Sequence, residues 1–191
     1  MQIEYEATFP NINKETIRQK LLEIGANCVR PEYVQKRRTF HLPSGHEIAG
    51  GWLRVRDEGD KIVATLKVVD GDKIENQKEI NLKVESFEST CELLQTLGCE
   101  EKAYQVTKRE LWKIDDVEVT IDEWPFLEPF IEVEGLSEEG VRGVAEKLGF
   151  NYREARFCAV GTLYSEKYGI SEDQINNHTP IIDFGIENPF A

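Results

Sequence analysis

Residues 52–56 read Trp52-Leu53-Arg54-Val55-Arg56. Successive side chains of a β-strand point to opposite faces, so Leu53 and Val55 share one side and Arg54 and Arg56 the other. An apolar face seeks a core; a face with two guanidiniums seeks water or an anion. Taken alone, the stretch describes a half-solvated strand. The same division recurs outward along the chain. Glu4, Glu6 and Thr8 oppose Ile3, Tyr5 and Ala7; Val63, Thr65 and Lys67 oppose Ala64, Leu66 and Val68. Farther on, Glu118, Thr120 and Asp122 oppose Val117, Val119 and Ile121, and Glu132 and Glu134 oppose Ile131 and Val133.

The signs are sorted by strand. Carboxylates dominate two of these faces and cations others, whereas solvated faces mix both signs. Strand-like runs fall at 2–8, 33–41, 51–57, 61–69, 77–84, 104–113, 116–123 and 129–134, separated by turn signals such as Asp57-Glu58-Gly59-Asp60 and Asp70-Gly71-Asp72. Helices are expected at 13–24, 86–97 and 137–148, each opened by a capping Asn or Ser and closed by Gly25, Gly98 or Gly149. Their stripes are Ile17, Leu21 and Ile24; Cys91, Leu94 and Leu97; Val141, Val144 and Leu148. The expected class is α+β: an antiparallel closed β-barrel of about eight strands forming a polar tunnel, with helices covering the apolar outside. A faint repeat runs through it, since Glu6 stands as far before Gly25 as Glu79 before Gly98.

Burying both signs inside a barrel is costly unless each charge is compensated. A metal–polyanion ligand does this, carboxylates holding a hard divalent cation and Arg and Lys the anion it bridges.

Composition narrows the partners. With 23 Lys and Arg against 36 Asp and Glu, the net charge of −13 repels nucleic acid but leaves room for a small anion at a local basic cluster. The opening residues lack a secretory signal, and no apolar run reaches the length of a membrane span, so a cytoplasmic protein without nucleic-acid or membrane partners is expected, monomeric or homodimeric. Cys28, Cys91, Cys99 and Cys158 have no metal-ligand spacing and read as reduced thiols. Residues 45–51 lack the Lys-Ser or Lys-Thr of a phosphate loop and read as a turn. His41, His46 and His178 are scattered, and Trp52, Trp112 and Trp124 read as core or rim packing.

These residues carry a resemblance. Glu4-Tyr5-Glu6, Trp52 to Arg56, Thr65-Leu66-Lys67, Val106-Thr107-Lys108-Arg109-Glu110-Leu111-Trp112, Asp122-Glu123 and Phe130-Ile131-Glu132-Val133-Glu134 resemble the successive motifs of the CYTH family, the triphosphate tunnel metalloenzymes, over about residues 1–168. The remainder, 169–191, reads as an acidic arm without Lys or Arg that packs on the barrel or caps one mouth. The resemblance implies a tunnel binding Mg²⁺ or Mn²⁺ and a small-molecule triphosphate such as tripolyphosphate, thiamine triphosphate or ATP. It makes Glu4, Glu6, Glu132 and Glu134 metal ligands, with Asp122 a fifth, and gives Arg54, Arg56, Lys67 and Arg109 to phosphate oxygens. Arg156 and Glu79 are further candidates for the substrate. It implies a metal-dependent triphosphatase or, as the alternative, a class IV adenylate cyclase converting ATP to cyclic AMP and pyrophosphate. One departure opens a third reading, a non-catalytic triphosphate binder: the family's Glu-x-Glu-x-Lys ends here in Thr8. The basic run Lys36-Arg37-Arg38 either compensates or lies in solvent.

Overall fold

A computed structural model describes residues 1–191. The first strand run breaks at Glu4 into β1 (Gln2–Ile3) and β2 (Tyr5–Phe9). There follow β3 (Asn27–Phe40), β4 (Gly51–Asp57), β5 (Ile62–Val69), β6 (Gln77–Val84), β7 (Glu101–Ile114), β8 (Val117–Glu123) and β9 (Phe130–Gly135). They pair antiparallel in the order β1-β6-β5-β4-β3-β7-β8-β9-β2. The break closes the barrel: Gln2 and Ile3 pair with Glu79 and Lys78 of β6, while Tyr5 to Phe9 pair with Gly135 to Ile131 of β9. One N-terminal run thus joins the two ends of the sheet, and Glu4 sits at the junction with its amide on the Gln77 carbonyl at 2.9 Å.

The three expected helices form as α1 (Lys14–Glu23), α2 (Phe87–Thr96) and α3 (Glu138–Lys147), capped by Asn13, Ser86 and Ser137 side chains. Gly25 and Gly98 follow α1 and α2 at φ 82° and 88°, left-handed values that favour glycine. The repeat has a structural counterpart. β2–α1–β3 and β6–α2–β7 are both strand–helix–strand units, and their long second strands pair with each other, Tyr33 opposite Arg109 and Arg37 opposite Gln105.

The barrel's apolar exterior makes the core. Ala7, Val119, Ile131 and Val133 are fully buried there against Leu21 of α1, Val141 and Ala145 of α3 and Leu148 at its C-cap. Each large side chain of this layer is worth about 1.5–3 kcal/mol of burial. α2 covers a smaller cluster of Phe40, Val55, Cys91 and Cys99. Leu97, assigned to its apolar stripe, is instead 62% exposed. It lies in the C-cap position, where the chain turns away from the sheet.

After α3 the chain forms elements beyond the three helices and the strands expected from the sequence. Residues 160–182 form α4 (Val160–Tyr168), α5 (Glu172–His178) and β10 (Ile181–Ile182), which adds in parallel to Tyr104 and Gln105 of β7. Leu163, Tyr164, Ile175 and Ile182 pack on Trp124 and Phe130, and Phe190 lies 4.7 Å from the Tyr164 ring. No helix is long and apolar enough to cross a membrane, and all four cysteines are free thiols.

Candidate functional site

The parity that sends Leu53 and Val55 outward sends Arg54 and Arg56 into the barrel, where they line a cavity of about 310 Å³. The same alternation delivers Glu4 and Glu6, Lys67, Glu79, Arg109, and Glu132 and Glu134 to its wall. Register sets their neighbours. Glu6 pairs with Glu134 across β2–β9, Lys67 with Glu79 across β5–β6, and Arg109 with Asp122 across β7–β8.

Carboxylate oxygens of Glu4, Glu6 and Glu134 lie within 4.8 Å of one another. Lys67 Nζ stands 2.6 Å from Glu4 Oε2 and 3.7 Å from Glu6 Oε1. The closer contact is an ion pair that one ammonium shares between two carboxylates. Burial raises the Glu6 carboxyl well above its ordinary range, and Glu132, Glu4 and Glu134 add to the rise against the pull of Lys67. Glu134 is pushed up to about 7 by burial and by Glu4 and Glu79. Burial works on Glu4 too, but Lys67 and Arg54 prevail and lower it. One ammonium thus does not neutralise the cluster. Three hard oxygen donors this close, sharing a single ammonium, fit a divalent cation.

The remaining candidate ligands are already engaged. Asp122, fully buried, accepts from Arg109 Nε at 2.7 Å and from the Thr120 hydroxyl at 2.6 Å, and Glu132 accepts from Arg109 Nη2 at 2.5 Å. Burial raises Glu132, as do Asp122 and Glu4, against the pull of Arg109 and Lys67. Asp122 therefore sits against Arg109, outside the three-carboxylate cluster. Arg156 is also held elsewhere: its backbone bridges Thr8, and its guanidinium donates to Glu166 at 2.9 Å and to the Glu154 carbonyl at 2.7 Å. It does not join the cavity wall. Glu79 does, and it also borders a second opening with Glu4, Glu118, Glu134 and Asp116, an acidic mouth.

Cations occupy the rest of the wall. Arg56 pairs with Glu58 at 2.7 Å, whereas Arg54 has no ion-pair partner and an unbonded Nε. Burial, then Arg56, brings Arg54 down to about 10. The run at 36–38 splits by parity: Lys36 and Arg38 face outward, and Arg37 points in. Arg37 is 4% exposed, donates to Gln35 and Thr107 at 2.8 and 2.7 Å, lies 4.6 Å from the Trp124 ring and meets no carboxylate. Strand alternation from Arg37 through Thr39 could have singled it out; the uninterrupted basic run obscured it. Trp52 and Trp124 line the cavity, whereas Trp112 is in the core.

Comparison with known proteins agrees with this geometry. The CYTH domain profile matches residues 2–161. A Methanocaldococcus jannaschii protein named as a candidate adenylate cyclase is 26% identical over 133 residues, 69% of this chain and 76% of that one. A Vibrio parahaemolyticus structure described as a candidate adenylate cyclase superposes with a TM-score of 0.74 at 12% identity, covering 86% of this chain and 98% of the other. A Hippeastrum adenylyl cyclase candidate, described as having a dominant triphosphatase activity, superposes with a TM-score of 0.55 at 13% identity, covering 90% and 97%.

Proposed function

We propose, for a chain that belongs to the CYTH domain family, that the tunnel hydrolyses a linear triphosphate, inorganic or organic, with a divalent metal held by Glu4, Glu6 and Glu134. The observation that carries this reading is the joint wall: three carboxylates within 4.8 Å of one another, and the guanidiniums of buried Arg37 and half-buried Arg54, neither in an ion pair. Either group alone is a cost to folding; a metal-bound polyanion compensates both.

Mg²⁺ or Mn²⁺ bound there supplies charge neutralisation and a more acidic water. Arg54, Arg56, Lys67 and Arg109 grip phosphoryl oxygens and stabilise the charge that grows on them. Arg37 supplies an inward cation in a chain whose opening motif ends in Thr8. Asp122 and Glu132 fix the Arg109 fork, so little reorganisation is needed as the phosphoryl group moves. Water forms the new P–O bond, the bridging P–O bond breaks, and the water's protons end on the phosphate products and solvent. The four free cysteines are in keeping with a reducing, cytoplasmic setting.

The name of the Methanocaldococcus jannaschii relative motivates a second reading, cyclisation of ATP. In that reaction the ribose 3′-hydroxyl attacks the α-phosphate and pyrophosphate leaves. Incubation with Mg²⁺ or Mn²⁺ and, separately, tripolyphosphate, thiamine triphosphate and ATP, resolved by phosphorus NMR, separates the readings. Orthophosphate supports hydrolysis, pyrophosphate with cyclic AMP supports the cyclase, and no product overturns both in favour of a binder.

A further inference from the structure

At the end of β7 away from the acidic mouth, the cavity wall changes character. Lys113 of β7 borders that mouth, whereas Lys102 and Gln105, near the strand's other end, line the main cavity with Arg37, Trp124 and residues 158–161. The last of these lead into α4. Every other α-helix is capped by an Asn or Ser side chain, but α4 begins at Ala159 with no side-chain cap. Val160 and Gly161, its first two residues, have no backbone acceptor, as expected of a helix start, and both line the cavity. Gly161 keeps this turn open: a Cβ there would meet the Asn176 carboxamide at 2.6 Å. Asn176 also lines the cavity.

A helix start alone attracts anions only weakly. Here it shares a wall with a second, independent feature, the 4%-exposed Arg37 with its unbonded Nε and no carboxylate partner. Lys102 also lacks an ion pair, although Asp173 of α5 acts on it from nearby. Free amides, a buried guanidinium and an ammonium are the donors that phosphate oxygens take.

We infer that the first turn of α4, with Arg37, Lys102 and Asn176, forms a separate subsite for a terminal phosphoryl group, so that the tunnel measures polyphosphate length. The inference rests on the proposed triphosphate reading and adds to it. Lys67 and a cation held by the carboxylates would engage one end of the chain, and the α4 subsite engages the far phosphoryl group. A diphosphate held at the metal end falls short of it.

Isothermal titration with Ca²⁺ present, to limit turnover, tests this with tripolyphosphate and pyrophosphate as probes. Wild-type protein is expected to bind tripolyphosphate at least about tenfold more tightly than pyrophosphate, the worth of a charged hydrogen bond or more. Arg37→Gln, Lys102→Ala and Gly161→Ala each remove most of that preference by weakening tripolyphosphate, with pyrophosphate affinity held within about twofold. Lys102→Ala keeps the test open if replacing the buried Arg37 unfolds the chain. Equal loss for both probes, or no loss in any folded variant, overturns the subsite and leaves the triphosphate reading intact. Failure of wild-type protein to bind either probe overturns that reading and the subsite with it.

Discussion

Arg109 donates from Nε to Asp122 at 2.7 Å, and Asp122 has no exposed surface. A carboxylate so enclosed acts on the tunnel through the arginine it aims. Asp122→Ala is expected to destabilise the fold by about 3 kcal/mol, the low end for breaking a buried pair, because Glu132 still holds Arg109. Urea unfolding measures that loss. Triphosphate affinity falls with it while Mn²⁺ affinity is retained; selective loss of Mn²⁺ binding returns Asp122 to the metal.

Glu134 titrates at about 7 in the fold against an ordinary value of 4.5. A raised carboxyl means that the folded state holds the proton more tightly than the unfolded chain does. Its contribution to stability is complete below about pH 4.5 and is lost as pH rises through about 7. Metal-free protein should therefore lose stability across that window. Glu134→Gln, having no proton to release, should flatten the loss. Since a ligating carboxylate must be ionised, Mn²⁺ affinity in wild-type protein should rise over the same range. Urea midpoints at several pH values in chelator check the first part; an unchanged slope in the variant refutes it.

The barrel was readable because its alternation is strict: five strands assign each charged residue to one face, and the structure keeps every one of those assignments. Register was not readable. Nothing in Arg109 or Asp122 separately says that they stand opposite, and that pairing is what sets the Asp122 carboxylate against the Arg109 guanidinium. The helices and short strand within residues 160–182 were not readable for a related reason. Val160 carries no capping signal before it, and Ile181–Ile182 is too short to show a period, so both are set by packing on Trp124 and on the free edge of β7.

Arg54 and Arg56 share a face and differ in partners, so their replacements should separate. Arg54→Ala removes a half-buried cation that is in no ion pair, and is expected to weaken triphosphate binding by roughly 1.5–3 kcal/mol with stability nearly unchanged. Arg56→Ala strips Glu58, buried in the barrel wall, of its 2.7 Å partner and leaves only Lys61 at 3.3 Å. It should cost about 1–3 kcal/mol of stability as well as affinity. Titration and urea unfolding of both variants decide the matter; equal stability losses would mean that Arg54 has a structural partner.

The carboxylate cluster and the unpaired guanidiniums make a joint demand, and that demand is measurable without any reaction. Repulsion among Glu4, Glu6 and Glu134 is only partly offset by Lys67, and Arg37 and Arg54 repel each other on the same wall. A cation alone relieves the first strain and an anion alone the second, each binding weakly because the other remains. Together they neutralise both, so their stabilisation should exceed the sum of the separate effects. A ligand at about 100 times its dissociation constant adds roughly 2.7 kcal/mol, or about 5–10 °C in melting temperature for a chain of this size. Tripolyphosphate with Ca²⁺ should produce that rise, either component alone a small fraction of it, and Glu132→Gln, Glu134→Gln protein should lose the excess while still folding. Strictly additive shifts would place metal and anion at unconnected sites, and the shared tunnel would then not be where they meet.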